Sequence, residues 1–317
     1  MINDYVVYDG GQHPELAKLI ADRVGSLGIL TVKRFADGEI GVNIEESVRD
    51  KKVFLIAPTA PPVNDSLMAL MISLDAFMRA SASEVNVVMP YFGYARQDKK
   101  VHPREPITAK LVANMLQMYS NVNRIVTLDL HAPQIQGFFN IPVDHLYGGP
   151  LIADYFLERE FHKQNIVVVS PDVSSVSRAR GLADVLKCPI AIISKRRPVA
   201  NEVEIMEIIG DVDDKICIML DDMCDTGSTL VKGSEALMHR GATEVYMAAT
   251  HGLFSGKAKN NFMSADHIKE VVCLNTTPMN QHKIFDKLTV LDCSPMIAEA
   301  IERIAANKSV SEMFNRG

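Results

Sequence analysis

The sequence predicts an α/β protein whose sheets are mostly parallel and flanked by helices. Short runs rich in Val and Ile alternate with stretches in which apolar residues recur at helical spacing. The strand-like runs are almost continuously apolar, which is typical of parallel strands covered on both faces. Polar residues gather where several of these runs end. Since ligands of open parallel sheets bind beyond the carboxyl ends of strands, these positions are the candidate site.

Seven runs are predicted as buried strands. In chain order they are VNVVM (85–89), RIVTLDL (124–130), NIVVVS (165–170), PIAIIS (189–194), KICIML (215–220), EVYMAAT (244–250) and EVVCLN (270–275). The clearest helix starts after Asn64 and Asp65, and its apolar residues are Leu67, Leu70, Met71, Leu74, Phe77 and Met78. A second helix starts near Thr229 and ends before Gly241. We interpret both apolar faces as core.

The length of 317 residues is sufficient for two domains of ordinary size. The segment HLYGGP (145–150) is the best candidate boundary, because it divides the chain into halves of similar size. We therefore expect an N-terminal domain over residues 1–147 and a C-terminal domain over residues 148–317.

Composition argues against several classes of protein. The formal net charge of −6 and the pI near 5.9 disfavour a general binder of nucleic acids or anionic membranes. No uncharged apolar run approaches the ~20 residues of a membrane span, and the first residues lack the pattern of a signal peptide. The five cysteines contain no CxxC pair, which favours reduced thiols over disulfides or a zinc site. We expect a cytoplasmic protein that has neither nucleic acid nor membrane as partner.

The segment DDMCDTGST (221–229) places three carboxylates, a glycine and three hydroxyl residues directly after an apolar run. Backbone N–H groups of a turn that leads into a helix bind phosphate. Carboxylates at the strand end suit the neutral hydroxyls of a sugar, or a metal that bridges them. The segment therefore predicts a sugar-phosphate site formed by Asp221, Asp222, Asp225, Thr226, Gly227, Ser228 and Thr229. The alternative is a helix N-cap with acids in the first turn.

A cationic cluster, Lys195, Arg196 and Arg197, follows the predicted strand PIAIIS in what is predicted to be a loop. Cations of this kind can neutralise the negative charge of a phosphate group. The alternative is a solvated basic run. The position at a strand end favours the functional interpretation.

DDMCDTGST resembles the ribose 5-phosphate-binding signature shared by type I phosphoribosyltransferases and ribose-phosphate diphosphokinases. The remaining motifs resemble those of the diphosphokinase family; they are RFADGE (34–39), PYFGYARQDKK (90–100), REPITAKL (104–111), DLHAPQIQGFF (129–139) and KRRP (195–198). The resemblance covers nearly the whole chain. It implies two phosphoribosyltransferase-like α/β domains. It also implies magnesium-dependent transfer of the β,γ-diphosphoryl group of ATP to the 1-hydroxyl of ribose 5-phosphate, which releases AMP.

The resemblance implies that Lys195 and Arg197 are catalytic, and that Arg197 also contacts the sugar phosphate. It implies that His131 binds the magnesium on ATP and that Asp172 binds the metal near ribose. Judged from residue types alone, a hydrogen-bonded structural role is favoured for His131, because magnesium prefers oxygen ligands. Asp172 is equally consistent with a helix N-cap.

The resemblance assigns two further groups of residues to ATP: Phe35, Asp37 and Glu39 in RFADGE, and Arg96 and Gln97 in YARQD. An aromatic face can stack on adenine, a carboxylate can accept from its amino group, and a guanidinium can pair with phosphate. The alternatives are a core Phe35, an Asp-Gly turn and a salt-bridged Arg96. In the family, RFADGE reaches the site of a neighbouring subunit, so the resemblance implies a homohexamer.

Enzymes similar to this one respond to phosphate and ADP at a shared site between subunits. The matching positions here are Ser47, Arg49, Ser81, Ser309, Ser311 and Phe314. Hydroxyls and a guanidinium suit a small anion. The alternatives are a helix cap at Ser309 and an ordinary surface role for Arg49.

The chain departs from the family pattern at two places. The usual Pro-Asp-x-Gly-Gly becomes Pro171, Asp172, Val173, Ser174 and Ser175, and the usual DTGGT or DTAGT becomes DTGST. A serine in place of glycine strains a turn that needs positive φ. Two other hypotheses are therefore considered. One is a catalytically weak regulatory homologue; the other is a phosphoribosyltransferase, which explains DDMCDTGST but not RFADGE.

Overall fold

A computed structural model describes residues 5–196 and 205–314, which form two compact units. The first unit comprises the described residues of Met1–Leu146, Thr276–Pro278 and Asp292–Gly317, and the second comprises those of Tyr147–Asn275 and Met279–Leu291. No described helix combines the length and the apolar character needed to cross a membrane.

The secondary-structure elements follow in chain order. Up to residue 146 they are β1 (Tyr5–Asp9), α1 (Pro14–Val24), β2 (Leu30–Arg34), β3 (Ile40–Ile44), β4 (Lys52–Ile56), α2 (Val63–Arg79), β5 (Glu84–Met89), α3 (Thr108–Leu116), β6 (Val122–Leu128), a 3-10 helix (Pro133–Phe138) and β7 (Val143–Leu146). Beyond residue 146 they are α4 (Gly149–Glu158), a 3-10 helix (Phe161–Lys163), β8 (Ile166–Ser170), α5 (Val176–Leu186), β9 (Ile190–Arg196), β10 (Ile205–Ile209), β11 (Ile216–Cys224), α6 (Ser228–His239), β12 (Glu244–Gly252), α7 (Ala258–Ser264), β13 (Ile268–Leu274), a 3-10 helix (Gln281–Lys283), β14 (Leu288–Leu291), α8 (Ser294–Ala305) and a 3-10 helix (Ser311–Phe314).

The predicted α/β fold with mostly parallel sheets is confirmed. The first unit contains a five-stranded sheet in the order β1-β4-β5-β6-β7, in which every pair is parallel, and a separate antiparallel ribbon of β2 and β3. The second unit contains a sheet in the order β10-β9-β8-β11-β12-β13-β14. Among its described strands, the pair β9–β10 is antiparallel and the other neighbours are parallel.

Each of the seven predicted runs overlaps a strand, and both predicted helices are present as α2, which begins at Val63 rather than after Asp65, and α6. In α2 the predicted core residues Leu70, Met71, Leu74 and Phe77 are buried, while Leu67 and Met78 are half-buried. Their helical spacing places them on one face, which packs into the core of the first unit.

Several predicted strand ends were wrong. β6 ends at Leu128, before the predicted end at Leu130, whereas β9, β11 and β12 continue into the polar segments that follow them. β11 extends to Cys224 and includes Asp221 and Asp222, which pair with β12 over this stretch, as Asp221 opposite Ala249 shows. β9 extends through Lys195 and Arg196, since an antiparallel partner, β10, pairs with them. Lys195 and Arg196 therefore lie in a strand and not in the predicted loop.

The described part of the C-terminal segment, residues 292–314, belongs to the first unit, whereas the sequence-based division assigned it to the second domain. Helix α8 packs against α1. Arg23 at the end of α1 donates from Nε to Ser294 Oγ (3.1 Å), and its Nη2 lies 3.5 Å from Asp292 Oδ2. The buried apolar face of α8, which includes Ile297 and Ile301, explains why this segment docks.

The polar segments at the strand ends divide between the two sheets. The segment DLHAPQIQG follows β6 of the first sheet. Four other segments lie at the carboxyl ends of β8, β9, β11 and β12 of the second sheet. In that order they are SPDVSSVSRAR, SKRRP, DDMCDTGST and ATHG. A strand pattern identifies where a strand ends, but it does not identify the sheet to which the strand belongs.

Candidate functional site

An acidic pair lies at the carboxyl end of β11, in the interior of the second sheet. Asp222 is 2% exposed, and the side chain of Asp221 is 21% exposed. Asp221 Oδ1 accepts hydrogen bonds from the backbone N–H of Asp222 (2.8 Å) and from Ser175 Oγ (3.0 Å). Arg178 Nη1 lies 4.0 Å from a carboxylate oxygen of each aspartate. Asp221 is therefore held in place by short-range contacts, and among the described side chains both aspartates face the guanidinium of Arg178.

Burial first, and then the neighbouring charges of Asp222 and Asp172, raise the pKa of Asp221 to about 7, against the hydrogen bond from the Asp222 N–H, which lowers it. Burial acts because it disfavours the charged form of a carboxyl group. Among the described residues, the three acidic groups outnumber the one nearby guanidinium, of Arg178, and such a balance favours a cation or a hydroxyl donor. This electrostatic character matches the predicted role of Asp221 and Asp222 toward a sugar or a bridging metal.

Replacing Asp221 with Asn is expected to stabilise the unliganded protein at pH 8. In the unfolded chain the carboxyl ionises near its ordinary pKa of 3.8, and in the folded chain near 7. The folded state therefore bears a cost of ionisation that accumulates between these two pH values and is complete above the higher one. Asn stays neutral and lacks this cost. A gain of ~1 kcal/mol raises the melting temperature by about 2–4 °C in a chain of this size.

Thermal melts of both proteins at pH 5 and pH 8 measure this effect. The advantage of the Asn variant should be larger at pH 8 than at pH 5. A variant that melts below the parent at pH 8, or whose advantage shrinks as the pH rises, would show that the buried carboxyl is not destabilising.

Asp172 is held by the two serines that depart from the family pattern. Its Oδ1 accepts from Ser174 Oγ (2.7 Å) and from the backbone N–H of Ser175 (2.9 Å), and its carbonyl oxygen accepts from Ser170 Oγ (2.6 Å). Ser175, with φ of −89°, occupies the N-cap position of α5, so Asp172 itself is not the N-cap. Neither serine has positive φ. The expected strain from replacing glycine here is therefore absent.

The turn between β11 and α6 has the features expected of a phosphate site. Gly227 has φ of 71° and precedes α6, and Val231 N–H donates to its carbonyl oxygen (2.9 Å). The N–H groups of residues 228–230 have no partner within the helix, which is general for the first turn of a helix. The hydroxyl-bearing residues Thr226, Ser228 and Thr229 are exposed. Hydrogen-bond donors from the backbone and from side chains thus surround the N-terminus of α6.

Asn261 of α7 stabilises this turn from the side. Its Nδ2 donates to the carbonyl oxygen of Thr226 (2.9 Å) and to Ser228 Oγ (3.2 Å). Because Ser228 Oγ accepts this bond, its own hydrogen can be donated to a ligand. Ser228 is not among the residues with positive φ, so the serine of DTGST is accommodated without backbone strain. The left-handed position is occupied by Gly227.

Replacing Gly227 with Ala is expected to destabilise the protein by about 2 kcal/mol or more. An added Cβ would lie 2.7 Å from Phe262 Cζ, and positive φ alone costs a non-glycine residue roughly 1–2 kcal/mol. Phe262 is fully buried and stacks on Phe285, with ring centroids 5.8 Å apart, so it has little room to move.

Gly256→Ala is the matched control for Gly227→Ala. Gly256 also has positive φ, of 59°, but an added Cβ there meets nothing within 4 Å. Chemical denaturation of both variants separates the backbone cost, which they share, from the steric cost, which only Gly227→Ala has. Equal losses in the two variants would show that Phe262 does not constrain the turn.

The structure leaves the catalytic residues predicted in KRRP largely undescribed. The backbone of Lys195 lies in β9, opposite Met206 of β10. Arg197, predicted to be both catalytic and in contact with the sugar phosphate, lies outside the described residues.

The RFADGE motif forms the tip of the β2–β3 hairpin in the first unit. Phe35 N–H donates to the carbonyl oxygen of Glu39 (2.8 Å), and Asp37 Oδ1 accepts from the N–H of Glu39 (3.0 Å). Gly38, with φ of 96°, completes the turn. The Phe35 side chain is 47% exposed, and Lys33 Nζ lies 5.0 Å from the centre of its ring. The alternative of a core Phe35 was therefore wrong, whereas an Asp-Gly turn is present.

The YARQD motif forms a loop beyond β5 of the same unit. Gln97 N–H donates to the carbonyl oxygen of Tyr94 (3.0 Å), and the carbonyl oxygen of Gln97 accepts from Ala109 N–H (3.1 Å) at the start of α3. The side chains of Arg96 and Gln97 are exposed, and Gln97 Oε1 accepts from the hydroxyl of Thr108.

Both motifs predicted to bind ATP are anchored to the first turn of α2. Arg34 Nη2, next to Phe35, donates to Asp65 Oδ2 (2.6 Å). The hydroxyl of Tyr94, next to the Arg96–Gln97 pair, donates to Asn64 Oδ1. Neighbouring residues of one helix thus hold both loops, which the separate motifs in the sequence do not reveal.

His131 lies in the loop that follows β6, and its side chain is exposed. The ring of His145 holds this loop. Leu130 N–H donates to His145 Nε2 (2.9 Å), and Gln136 Nε2 lies 3.3 Å from His145 Nδ1. The backbone around the predicted ligand is therefore fixed by a different histidine, and the His131 ring points to the surface.

A magnesium ion fits the chemistry of the acidic residues. Among the described residues, no group of three or more His, Cys, Asp or Glu side chains is arranged to enclose a metal. Magnesium does not need such an enclosure, because it binds through one or two carboxylates together with waters and substrate phosphates. The carboxylate oxygens of Asp172, Asp221 and Asp222 are donors of the required hard type.

The residues predicted for an effector site all lie in the first unit. Ser47 and Arg49 are exposed, and the carbonyl oxygen of Ser81 accepts from the N–H of Asp50 (3.0 Å), which joins these two segments. At the C-terminal end, Ser309 Oγ lies 2.8 Å from Ser311 Oγ. Phe314 is half-buried in the last 3-10 helix.

Three residues at the acidic pair and the turn were not predicted from the sequence: Ser175, Arg178 and Asn261. The first two lie in the segment SPDVSSVSRAR, whose run of serine and arginine after a buried strand was the available signal. The sequence contained no signal for Asn261, because this residue lies in α7, 33 positions along the chain from Ser228 of the turn that it supports.

Comparisons with known proteins agree on one family. A family model described as the N-terminal domain of ribose phosphate pyrophosphokinase matches residues 5–119, and one described as the phosphoribosyl synthetase-associated domain matches residues 196–315. The chain is 52% identical over 313 residues to the ribose-phosphate pyrophosphokinase of Caldanaerobacter subterraneus, covering 98% of each chain. It is 52% identical over 302 residues to that of Bacillus caldolyticus, covering 95% of each. The crystal structure of phosphoribosylpyrophosphate synthetase from Mycobacterium smegmatis matches with a TM-score of 0.90 and 39% identity, over 96% of this chain and 99% of that chain.

Proposed function

This chain belongs to the ribose-phosphate pyrophosphokinase family of enzymes, and from that membership we propose that it transfers the β,γ-diphosphoryl group of ATP to ribose 5-phosphate. The 1-hydroxyl oxygen of the sugar forms a bond to the β-phosphorus. The bond between that phosphorus and the oxygen shared with the α-phosphate breaks, and AMP leaves with this oxygen. The products are 5-phosphoribosyl 1-diphosphate and AMP, and the hydroxyl proton is released.

The observation that carries this proposal is the arrangement of the DDMCDTGST segment. A buried acidic pair ends β11, and a glycine turn then leads into the N-terminus of α6. Helix N-termini bind anions through their N–H groups and dipole. In the proposed complex the 5-phosphate binds Asp225–Thr229, while Asp221 and Asp222 accept from the hydroxyls of the sugar. This order of groups along the segment matches a sugar that carries its phosphate at one end.

The proposed ATP site uses the two loops anchored to α2. The exposed face of Phe35 is available to stack on an adenine ring, and the exposed carboxylates of Asp37 and Glu39 are available to its amino group. Arg96 would pair with phosphate oxygens, and Gln97 would add an amide contact. These assignments rest on the family pattern together with the exposure of all five side chains.

Magnesium would be held by Asp172 on the sugar side and by His131 on the nucleotide side, with waters and phosphates as its other ligands. When bound, it would neutralise phosphate charge and polarise the phosphoryl oxygens. The part of this chain in the reaction is mainly to align the sugar hydroxyl and to surround the phosphates with cations. Lys195 and Arg197 are proposed to stabilise the charge that develops on the transferred group.

The way in which the serines at the two departures from the family pattern are accommodated supports an active enzyme over a weak regulatory homologue. Ser174 and Ser175 bond the acidic residues of the site, and none of Ser174, Ser175 and Ser228 is strained at positive φ. Serine thus replaces glycine here without the backbone penalty that would argue for a damaged site.

One assay tests the proposal against the alternatives. The purified full-length protein is incubated with ATP, magnesium and ribose 5-phosphate, and AMP and 5-phosphoribosyl 1-diphosphate are quantified. Equal amounts of both products are expected. Formation of neither, together with a change in the rate of an added active relative, would support the regulatory homologue. Consumption of 5-phosphoribosyl 1-diphosphate in the presence of a nucleobase would support a phosphoribosyltransferase.

We also propose that small anions regulate the protein and that it assembles into a homo-oligomer. Phosphate and ADP are proposed as effectors that bind near Arg49 and Ser81, with Ser47, Ser309, Ser311 and Phe314 contributed to the same site. The hydrogen bond that joins Asp50 to Ser81 supports a shared location for the first two segments. A homohexamer is proposed on the family pattern, because Phe35 and its neighbours on the hairpin are exposed in the single chain.

A further inference from the structure

Ser175 stands where the family pattern has glycine, yet its side chain contacts the acidic pair of the proposed sugar site. We propose that Ser175 is a positioning residue, whose hydroxyl holds the carboxylate of Asp221 in the orientation that recognises the ribose hydroxyls. This inference rests on the proposed function and adds a determinant of sugar affinity to it. A glycine at this position could not provide the contact.

The hydrogen bonds around Ser175 connect two loops of the second unit. Its Oγ donates to Asp221 Oδ1 (3.0 Å), and its N–H donates to Asp172 Oδ1 (2.9 Å). Ser175 is 5% exposed, so this bond is shielded from water. A single buried residue thus links the loop after β8 to the end of β11.

The geometry restricts the rotation of the Asp221 carboxylate. Oδ1 accepts from two donors, Ser175 Oγ and Asp222 N–H (2.8 Å). The second donor is on the neighbouring residue of the same strand, so Ser175 is the described hydrogen-bond donor that reaches this oxygen from another element. Arg178 lies 4.0 Å away, beyond hydrogen-bond distance. Removing the hydroxyl would therefore free the carboxylate to adopt other rotamers, and binding would have to restrict it again.

The neighbouring serine has a different role, which makes the proposal specific to Ser175. Ser174 is exposed, and its Oγ donates to Asp172 rather than to Asp221. The two serines thus divide between the two acidic residues. Loss of the Ser175 hydroxyl should weaken sugar recognition, and it leaves the side-chain bond of Ser174 to Asp172 in place.

Ser175→Ala is expected to raise KM for ribose 5-phosphate about three- to tenfold, the range expected when binding has to restrict one side chain that was fixed beforehand. The expected kcat stays within about twofold of the parent, and KM for ATP is unchanged. Calorimetry should show the same loss of affinity for ribose 5-phosphate. Propyl phosphate, which has a phosphate but no ring hydroxyls, should bind both proteins equally.

Two further variants make the test specific. Ser177→Ala is the matched control, because Ser177 is exposed on the same helix two residues away, and no change is expected. In an Asp221→Ala background, Ser175→Ala should cause no additional loss of sugar affinity, since a residue that acts through Asp221 has nothing left to position. Ser175→Gly serves as a second variant, because glycine is well tolerated at an N-cap.

The proposal would be overturned by an unchanged KM for ribose 5-phosphate, or by a parallel loss of affinity for propyl phosphate. It would also be overturned if Ser175→Ala lowered the sugar affinity further in the Asp221→Ala background. A fall in kcat and melting temperature with no selective change in KM would indicate a purely structural role and would also reject it. If the proposed function itself is wrong, the parent protein will form no AMP. Calorimetry would then still measure whether Ser175→Ala weakens binding of ribose 5-phosphate.

Discussion

Replacing Lys195 or Arg197 with alanine should lower kcat about a hundredfold or more while the protein stays folded. Each variant removes a cation from a transition state that carries more negative charge at the reacting phosphate than either bound substrate does. Loss of one well-placed electrostatic group costs about 10²–10³-fold in rate. Because the interaction is strongest in the transition state, kcat should fall more than KM rises. Steady-state kinetics with varied ATP and ribose 5-phosphate measure both constants.

Arg240→Ala is the control for this loss of positive charge. Arg240 is exposed at the C-cap of α6, the opposite end of the helix from the proposed phosphate site. This variant should keep parental kcat, and all three should keep the melting temperature of the parent. If either Lys195→Ala or Arg197→Ala turns over at a near-parental rate, the proposed catalytic role of that residue is wrong.

Replacing Thr229 with Val should weaken binding of ribose 5-phosphate about tenfold or more and leave binding of ribose unchanged. Val has nearly the shape of Thr but lacks the hydroxyl, and Thr229 is exposed in the first turn of α6. A hydrogen bond to a charged group contributes roughly 1.5–3 kcal/mol, and ~1.4 kcal/mol corresponds to a tenfold change in affinity. Only the phosphorylated sugar carries the group that this hydroxyl would bind.

Two companion variants show whether phosphate and sugar are recognised separately. Thr243→Val is the matched control, because Thr243 is exposed between α6 and β12 and should have no effect. Asp221→Asn should weaken binding of both ribose and ribose 5-phosphate, since both carry the hydroxyls. Calorimetry with the two sugars measures this. If Thr229→Val loses both sugars in parallel, the proposed division of the segment into an acidic sugar side and a phosphate side fails.

The strands that the sequence predicted are those buried on both faces, where apolar residues run without interruption. β8, for example, is buried at each of its five residues. The strands that were missed include β2 and β3, whose residues are half-buried or exposed, and β14, which has four residues. Such strands are stabilised by pairing with a neighbour, which a local pattern does not contain. β4 was also missed, although it is buried from Val53 to Ile56 and has an apolar run similar to those that were predicted.

The acidic and hydroxyl residues of the candidate site could be predicted because they are consecutive in the chain. Asp221 to Thr229 follow one another between a strand and a helix, and that local order places the acids in the strand and the hydroxyls at the helix start. The contacts that hold them could not be predicted in this way. Ser175 reaches Asp221 across 46 positions, and Asn261 reaches Ser228 across 33. The sequence pattern has no signal for pairs so far apart.

The sequence by itself determined the α/β class, the location of the principal strands and the order of acid, glycine and hydroxyl along DDMCDTGST. These properties depend on periodicity and on neighbours in the chain, so the residues alone contain them. Only the tertiary structure decided that Asp221 lies in a strand beside Asp222 and Arg178, that Gly227 and not Ser228 takes the left-handed conformation, and that Ser175 bonds Asp221. Each of these depends on strand pairing and packing between distant segments, and burial there raises the pKa of Asp221.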